Sequence, residues 1–406
     1  MGKFWAIAAI PILIAAGFSR SVTVADGTMR VPIRSAQRTP APPLTSGQSL
    51  VPVPPNFTVG LDNQLFRDRQ QPGDKRALLT AIDYSLRYLG TDRASKDYEK
   101  LAHLGISRDR VRRSLQRFRT LLVRSRSAQE LQTAVSREFV VYQATGKDGQ
   151  GTVGFTGYFE PIHVASLTRT NEFRYPLFRL PTGFSSWQKP HPTRAQLEGT
   201  DGLQFSRSQL RGHELAWLRD RLEAFLIQVQ GAAQLQLTNG KTMTVGYAGA
   251  TDYPYIGIGR ELVKDGKLKL EALTLPALIQ YFQQNPADLN EYLPRNQRFI
   301  FFKETGGAPA TGSISVPVTL ERSIATDKTL FPPGALALIQ TQIPYPTSSG
   351  QLQQRSVHRF VLDQDTGSAI KGPGRVDIFM GTGKLAGDRA GLINSTGALY
   401  YLLLNQ

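Results

Sequence analysis

No cysteine occurs in the 406 residues. That excludes disulfides, thiolate metal centres, a cysteine nucleophile and lipid attachment through a cysteine. Histidine is scarce: His103, His163, His191, His213 and His358 stand far apart, and no H-E-x-x-H pair offers two imidazoles to a zinc ion from one helix face. No G-x-S-x-G elbow is present, so the sequence carries neither of these hydrolase signatures. The D-T-G tripeptide of an aspartic protease occurs once, at Asp365-Thr366-Gly367, whereas that chemistry needs two carboxylates sharing a proton. A dinucleotide fingerprint, Gly381-Thr382-Gly383-Lys384-Leu385-Ala386, has no acidic residue after Asp388 to meet a ribose. Those glycines are expected to serve a turn and tight packing. No internal repeat is visible, and neither a cofactor nor a metal is expected.

Basic residues are in excess. The 48 Lys+Arg against 32 Asp+Glu give a net charge of +16, which favours an anionic partner or surface. Nucleic acid is not the expected partner, because the densest cluster, RDRVRRSLQRFRTLLVRSR, reads as an amphipathic helix. Its Val111, Leu115, Phe118 and Leu122 recur at helical spacing and leave the arginines as a solvated face.

One long apolar run exists. Lys3 precedes fifteen residues, Phe4 to Phe18, that are all apolar, Gly or Pro, and the chain then turns polar. This is a secretory pattern, short for a membrane span, so residues 1–25 are expected to be a signal peptide. The protein should be exported to the periplasm or cell envelope as a non-lipoprotein. Membrane association through the N-terminal segment is the alternative to a soluble form. Residues 26–61, with six prolines between Pro40 and Pro55, read as an extended linker.

From residue 62 to about 143 the apolar period is helical, with Leu78, Ile82, Leu86 and Leu89 on one face and a capping box of Ser127 and Glu130. Beyond Gly146 short apolar or alternating runs dominate, and Asn239-Gly240 between two such runs signals a hairpin. One helical interlude, LPALIQYFQQNPADLNEYL, interrupts them. The fold class is therefore mainly β with an N-terminal helical part.

Carboxylate chemistry beside aromatics that suit sugars is what remains. Asp377 lies between Val376 and the apolar pair Ile378 and Phe379, where desolvation favours the neutral acid, able to protonate a glycosidic oxygen. Asp365, twelve residues earlier, could face it across a hairpin and hold its proton in place. Each has a plainer alternative as a turn cap or salt-bridge partner.

These residues resemble a known pattern. QDTGSAIKGPGRVDIFMG is similar to the segment of the 3D domain, named for three aspartates, in the membrane-bound lytic murein transglycosylase A family. The three would be Asp327 in RSIATDKTLFPPG, Asp365 and Asp377. The resemblance runs from about residue 150 to 405 through VGFTGYFEP, TRTNEFRYPLFRLP, ELAWLRDRLEAFLIQVQGAAQLQL and VGYAGATDYPYIGIGRELV. It implies a double-psi β-barrel (62–160 with 311–406), an inserted second β-rich domain (161–310) and a groove between them for peptidoglycan glycan strands. Asp377 would be the catalytic acid, with Asp365 and Asp327 beside it. Thr156, Tyr158, Gln230 and Tyr247 are the expected sugar-binding residues, and a monomer is expected. The implied reaction cleaves the β-1,4 bond between N-acetylmuramic acid and N-acetylglucosamine without water, giving 1,6-anhydro ends. A related glycosidase that uses water and a non-catalytic wall-binding module are the alternatives. Two departures stand out: the family's lipobox Cys is absent, and Glu160 stands where an uncharged residue is common.

Overall fold

The computed structural model of the chain describes residues 48–54, 57, 59–66 and 73–405. The expected signal peptide lies outside the described residues, as does the first part of the expected linker. The remainder of that linker is not all tether. A short strand, β1 (Leu50–Pro52), pairs antiparallel with β2 (Phe139–Ala144). Half-buried Leu50 and Val51 give it an apolar anchor, and an edge strand tolerates the flanking prolines.

Between these strands run four helices, α1 (Lys75–Leu89), α2 (Asp92–Lys100), α3 (Arg108–Arg124) and α4 (Ala128–Glu138). The expected faces of α1 and α3 are the ones that pack, and Val111, Leu115, Phe118 and Leu122 are fully buried. The arginines of α3 are not all solvated, however. Arg110 is buried and donates to the carbonyl of Leu404 at 3.2 Å, tying the helix to the last strand. At the start of α4, Ser127 Oγ accepts from Glu130 N–H as expected, but the Glu130 carboxylate reaches back to Arg126 N–H instead of to the cap.

The middle of the chain holds β3 (Val153–Glu160), β4 (Ile162–Ala165), β5 (Tyr175–Phe178), α5 (Arg194–Glu198), β6 (Glu214–Leu218), α6 (Arg221–Gln230), β7 (Ala232–Leu237), β8 (Thr242–Ala250), α7 (Ile258–Lys264), α8 (Leu275–Gln284), α9 (Leu289–Arg295) and β9 (Ile300–Glu304). Strands β4, β7, β8 and β9 form one sheet in that order, and β5 pairs with β6. The Asn239-Gly240 turn joins β7 to β8 with Gly240 at φ +82°. Helix α6 lies in a stretch read as strands. Leu222, Ala224, Phe225, Leu226 and Ile227 are all buried, so it shows no polar face to betray its period. Asp220 caps it by accepting from the N–H groups of Leu222 and Glu223.

The last part supplies β10 (Ser323–Ala325), β11 (Leu336–Pro346), β12 (Leu352–Asp365), β13 (Arg375–Thr382), α10 (Lys384–Ala390) and β14 (Asn394–Leu404). The large sheet runs β1-β2-β14-β11-β12-β10-β13-β3, and β14 also pairs with β3. That last pairing closes six strands, β14, β11, β12, β10, β13 and β3, into a barrel. Strand β14 serves three neighbours in turn, and where it moves from β3 to β11 the backbones crowd. A Cβ on Gly397 would lie 1.9 Å from the carbonyl oxygen of Gln340, so only glycine fits. Two glycines where β13 ends, Gly381 and Gly383, have φ of +95° and +85° and shape the turn into α10, as expected.

A buried ionic network joins the N-terminal part to the barrel. Arg322, fully buried, bonds both Asp62 and Asp74; Arg359 bonds Asp74 and Glu321; Arg389 bonds Glu321. Replacing Arg322 by Met leaves the buried Asp62 carboxylate with only the Phe360 N–H at 2.9 Å among these partners. Arg322→Met is expected to cost about 3–5 kcal/mol in denaturant unfolding, and Asp62→Asn added to it should recover part of that loss. A loss below about 1 kcal/mol would show that the network does not carry the joint.

Candidate active site

Strand β13 lies between β3, to which it is parallel, and β10, to which it is antiparallel. The register sets Asp377 opposite Thr156 on one side and Ala325 on the other. Val376 and Ile378 are fully buried, and the Asp377 residue itself is 6 % exposed. Thr156 Oγ1 donates to Asp377 Oδ1 at 2.8 Å and accepts from Arg375 Nη2 at 2.9 Å. Burial pushes the Asp377 carboxyl up to about 6, and the nearby charge of Asp365 adds to this; Arg375 and the Thr156 hydroxyl pull the other way.

Asp365 ends β12. A bulge in the β10–β12 pairing skips Gln364, so that Ala325 pairs with Asp365 as well as with Asp377. The small Ala325 therefore stands between the two aspartates in the register. Asp365 Oδ1 accepts from the N–H groups of Ser313 and Thr366, and Oδ2 accepts from the Tyr158 hydroxyl at 2.8 Å. Burial still leaves its pKa raised above the carboxylate norm.

Both aspartates line one cleft between the barrel and a facing wall. The barrel contributes Tyr158, Ala325 and the loop from Thr366 to Ile370; the facing wall carries Gln228 to Gln230, Arg194, Tyr255, Asn296 and Arg298. Two polar atoms on that wall, Tyr255 Oη and Arg298 Nε, are buried without a hydrogen-bond partner among the described residues.

Of the expected residues, the fold brings together Asp377, Asp365, Tyr158 and Gln230, the last also accepting from Phe159 N–H at 3.1 Å. Thr156 is present beneath the cleft, bonded to Asp377, and does not line it. Tyr247 is not in the cleft; it is 51 % exposed on β8. Asp327 is not in the lining either. Burial would raise its pKa, but N–H groups of Gly372 and Thr329, the Thr329 hydroxyl and nearby Lys371 hold it below the norm. It orders the loops around it. Glu160 is buried at the junction of the two sheets, accepting from Gln234 of β7 and Thr382 of β13. Arg194, Tyr255, Asn296 and Arg298 were not anticipated. Tyr255 lies in the aromatic segment YPY, which was a signal; Arg194 opens the short helix α5, and Asn296 and Arg298 sit in irregular chain between α9 and β9.

Comparison with known proteins agrees with this geometry. Residues 154–303 match the MltA specific insert domain and residues 322–403 match the 3D domain. Membrane-bound lytic murein transglycosylase A of Escherichia coli (strain K12) is 31% identical over 263 residues, 64% of this chain and 68% of the relative. The chain belongs to the membrane-bound lytic murein transglycosylase A family. The Vibrio cholerae relative is also 31% identical, over 264 residues, with the same coverage of 64% and 68%. The crystal structure of Escherichia coli MltA with bound chitohexaose aligns at a TM-score of 0.67 and 24% identity, covering 89% of this chain and 96% of that one. The transglycosylase from Agrobacterium tumefaciens aligns at 0.59 and 24%, covering 77% and 92%. These two alignments establish a shared fold.

The raised pKa of Asp377 has a thermodynamic consequence. An aspartate in the unfolded chain ionises near 3.8 and this one near 6, so the folded form holds the proton more tightly and stability falls as pH rises through that window. The shift corresponds to about 3 kcal/mol. Asp377→Asn should therefore gain stability relative to the unsubstituted chain by up to about that amount between pH 3.5 and 7. A stability difference that stays flat over this range would show that Asp377 ionises normally.

Proposed function

We propose that the chain is a peptidoglycan lytic transglycosylase, cleaving the β-1,4 bond between N-acetylmuramic acid and N-acetylglucosamine without water. The observation that carries this reading is the Asp377 carboxyl, raised to about 6 in the wall of a cleft. At mildly acidic to neutral pH part of the population is the neutral acid. It gives its proton to the glycosidic oxygen as the bond from muramic acid C1 breaks. The resulting carboxylate then takes the proton from the C6 hydroxyl while O6 closes on C1. The product is a 1,6-anhydro ring, and the acid is restored.

One carboxylate is enough for this sequence, so no second is needed as nucleophile or water activator. Asp365, held by three donors, is placed to stabilise the positive charge that develops at C1. Family membership supports the substrate class. On the facing wall, Tyr255 Oη and Arg298 Nε offer hydrogen-bonding capacity to sugar hydroxyl and acetamido groups. A water-using hydrolase is the second reading, and a wall-binding module has no use for a desolvated acid.

In the same reading the closed six-stranded ring is the double-psi β-barrel, formed by residues 62–160 and 311–406, with 161–310 as the inserted domain. The mixture of parallel pairing, β3 with β13 and β10 with β12, and antiparallel pairing supports it. We assign the chain to the cell envelope, exported by residues 1–25. Among the described residues no helix is long and apolar enough to cross a membrane.

Asp377→Asn should lower turnover of purified peptidoglycan by at least ~10²-fold to 10⁴-fold, as loss of a general acid does, while substrate binding persists. Mass spectrometry of products formed in ¹⁸O-labelled water should show 1,6-anhydromuramic ends and no label. Label at new reducing ends would establish hydrolysis, and full activity of the variant would remove Asp377 from the mechanism.

A further inference from the structure

Beside the segment that carries Tyr255 lies a second, broader groove, lined by Trp187, Lys189, His191, Arg207 and Tyr253 among others. It adjoins the cleft through the chain itself. Thr193 lines the groove and Arg194 the cleft, while Tyr253 lines the groove and Tyr255 the cleft. Arg298 of the cleft wall donates to the Tyr253 carbonyl at 2.9 Å. Residues two apart are separated by at most about 7 Å, so the two depressions share a thin wall.

The groove is basic and partly aromatic. None of its lining residues is acidic. Lys189 and Arg207 are exposed, and among the described residues neither has a carboxylate within ion-pair distance. The acid at the rim, Asp252, bonds to His191: its Oδ1 accepts from His191 N–H at 3.0 Å and lies 3.2 Å from His191 Nδ1, while Lys189 acts on it only through its charge, beyond ion-pair distance. The floor is well held. Trp187 packs edge-on against Phe301 and His191, and the Tyr253 hydroxyl donates to the His191 carbonyl at 2.6 Å. Two unpaired cations on a firm aromatic floor suit a ligand that carries carboxylates on an extended backbone.

Building on the activity inferred above, we propose that this groove receives the peptide stem of the murein strand whose sugars occupy the cleft. Stems hang from the lactyl group of muramic acid and carry free carboxylates. An extended peptide advances about 3.3–3.6 Å per residue, so two or three stem residues cross the shared wall and bring a carboxylate to Lys189 and Arg207. A strand stripped of its stems keeps only the lactyl carboxylate, held at the sugar and too short to cross the shared wall to these side chains.

The test compares the unsubstituted chain with Lys189→Glu/Arg207→Glu on two substrates, peptidoglycan strands with stems and the same strands stripped of peptide by an amidase. The expected result is a KM raised roughly tenfold on stem-bearing strands alone, weakening at high salt, with kcat unchanged on both. An equal rise on both substrates would mean that the groove contacts sugar, and no change on either would mean that it contacts nothing; both overturn the proposal. Titration calorimetry with a synthetic stem peptide gives a readout independent of cleavage, expected to show binding that the double variant loses. Absence of binding to the unsubstituted chain overturns the proposal even where strands are cut. Failure to form anhydro ends despite peptide binding counts against the activity reading instead.

Discussion

The pairing of β3 with both β13 and β14 is the constraint on which the site depends. Without the β3–β14 contact the large sheet would be open, and β13 would have no fixed relation to the strands across the ring. Strand β13, paired with β3 on one side and β10 on the other, sets Asp377 opposite Thr156 and Ala325. Closure also explains the environment of that carboxyl. A central strand is shielded on both flanks, so a charge on it loses water that the barrel returns only through one hydroxyl, one backbone N–H and the field of Arg375. The proton affinity of the acid is thus set largely by the topology of the barrel.

Three aspartates meet three environments. Asp327 is surrounded by donors that outweigh its burial, and it behaves as a fixed anion that ties loops. Asp365 is nearly as well supplied with donors, yet its burial keeps its pKa raised. Asp377 has the fewest direct donors and a neighbouring carboxylate, and burial raises its pKa to about 6. A fourth, Asp363, is fully buried and bonded by Lys328, Thr326 and Tyr401. Residue type alone cannot distinguish these cases; the supply of donors and the depth of burial do.

This marks what could be read from the sequence. The apolar flanks of Asp377 were visible, since a lone acid in a strand of Val, Ile and Phe announces its own desolvation. The faces of α1 and α3 were visible for the same periodic reason. Helix α6 was not, because burial on all sides removes the polar stripe that reveals a period. Strand β1 was hidden by its prolines, which suggest a tether wherever an edge strand is not yet known to be needed. Thr156 and Tyr247 were both expected among the sugar-binding residues. Only the register shows that one lies under the acid and the other faces away from the cleft. The facing wall was the least legible, being assembled from Arg194, Asn296 and Arg298, which are remote in sequence and sit in segments without repeat.

The positive charge of the chain divides into two populations that do different work. Arg322, Arg359 and Arg389 are buried among Asp62, Asp74 and Glu321, and Arg194 and Arg221 share Glu198. Such networks add little net stability over an apolar core, because desolvation offsets most of the attraction. What they add is geometric selectivity. Arg322 and Asp62 are 260 residues apart in sequence, and a guanidinium accepts few arrangements of its partners. In a chain without cysteine, these forks hold the N-terminal part in register with the barrel, and Arg194 holds α5 against Gln228 of α6 and the carbonyls of Asn296 and Arg298. The cleft therefore has two walls that are each fixed before a ligand arrives, which reduces the ordering cost of binding. Lys189 and Arg207, exposed and among the described residues without a carboxylate within ion-pair distance, are free to act on an anionic ligand.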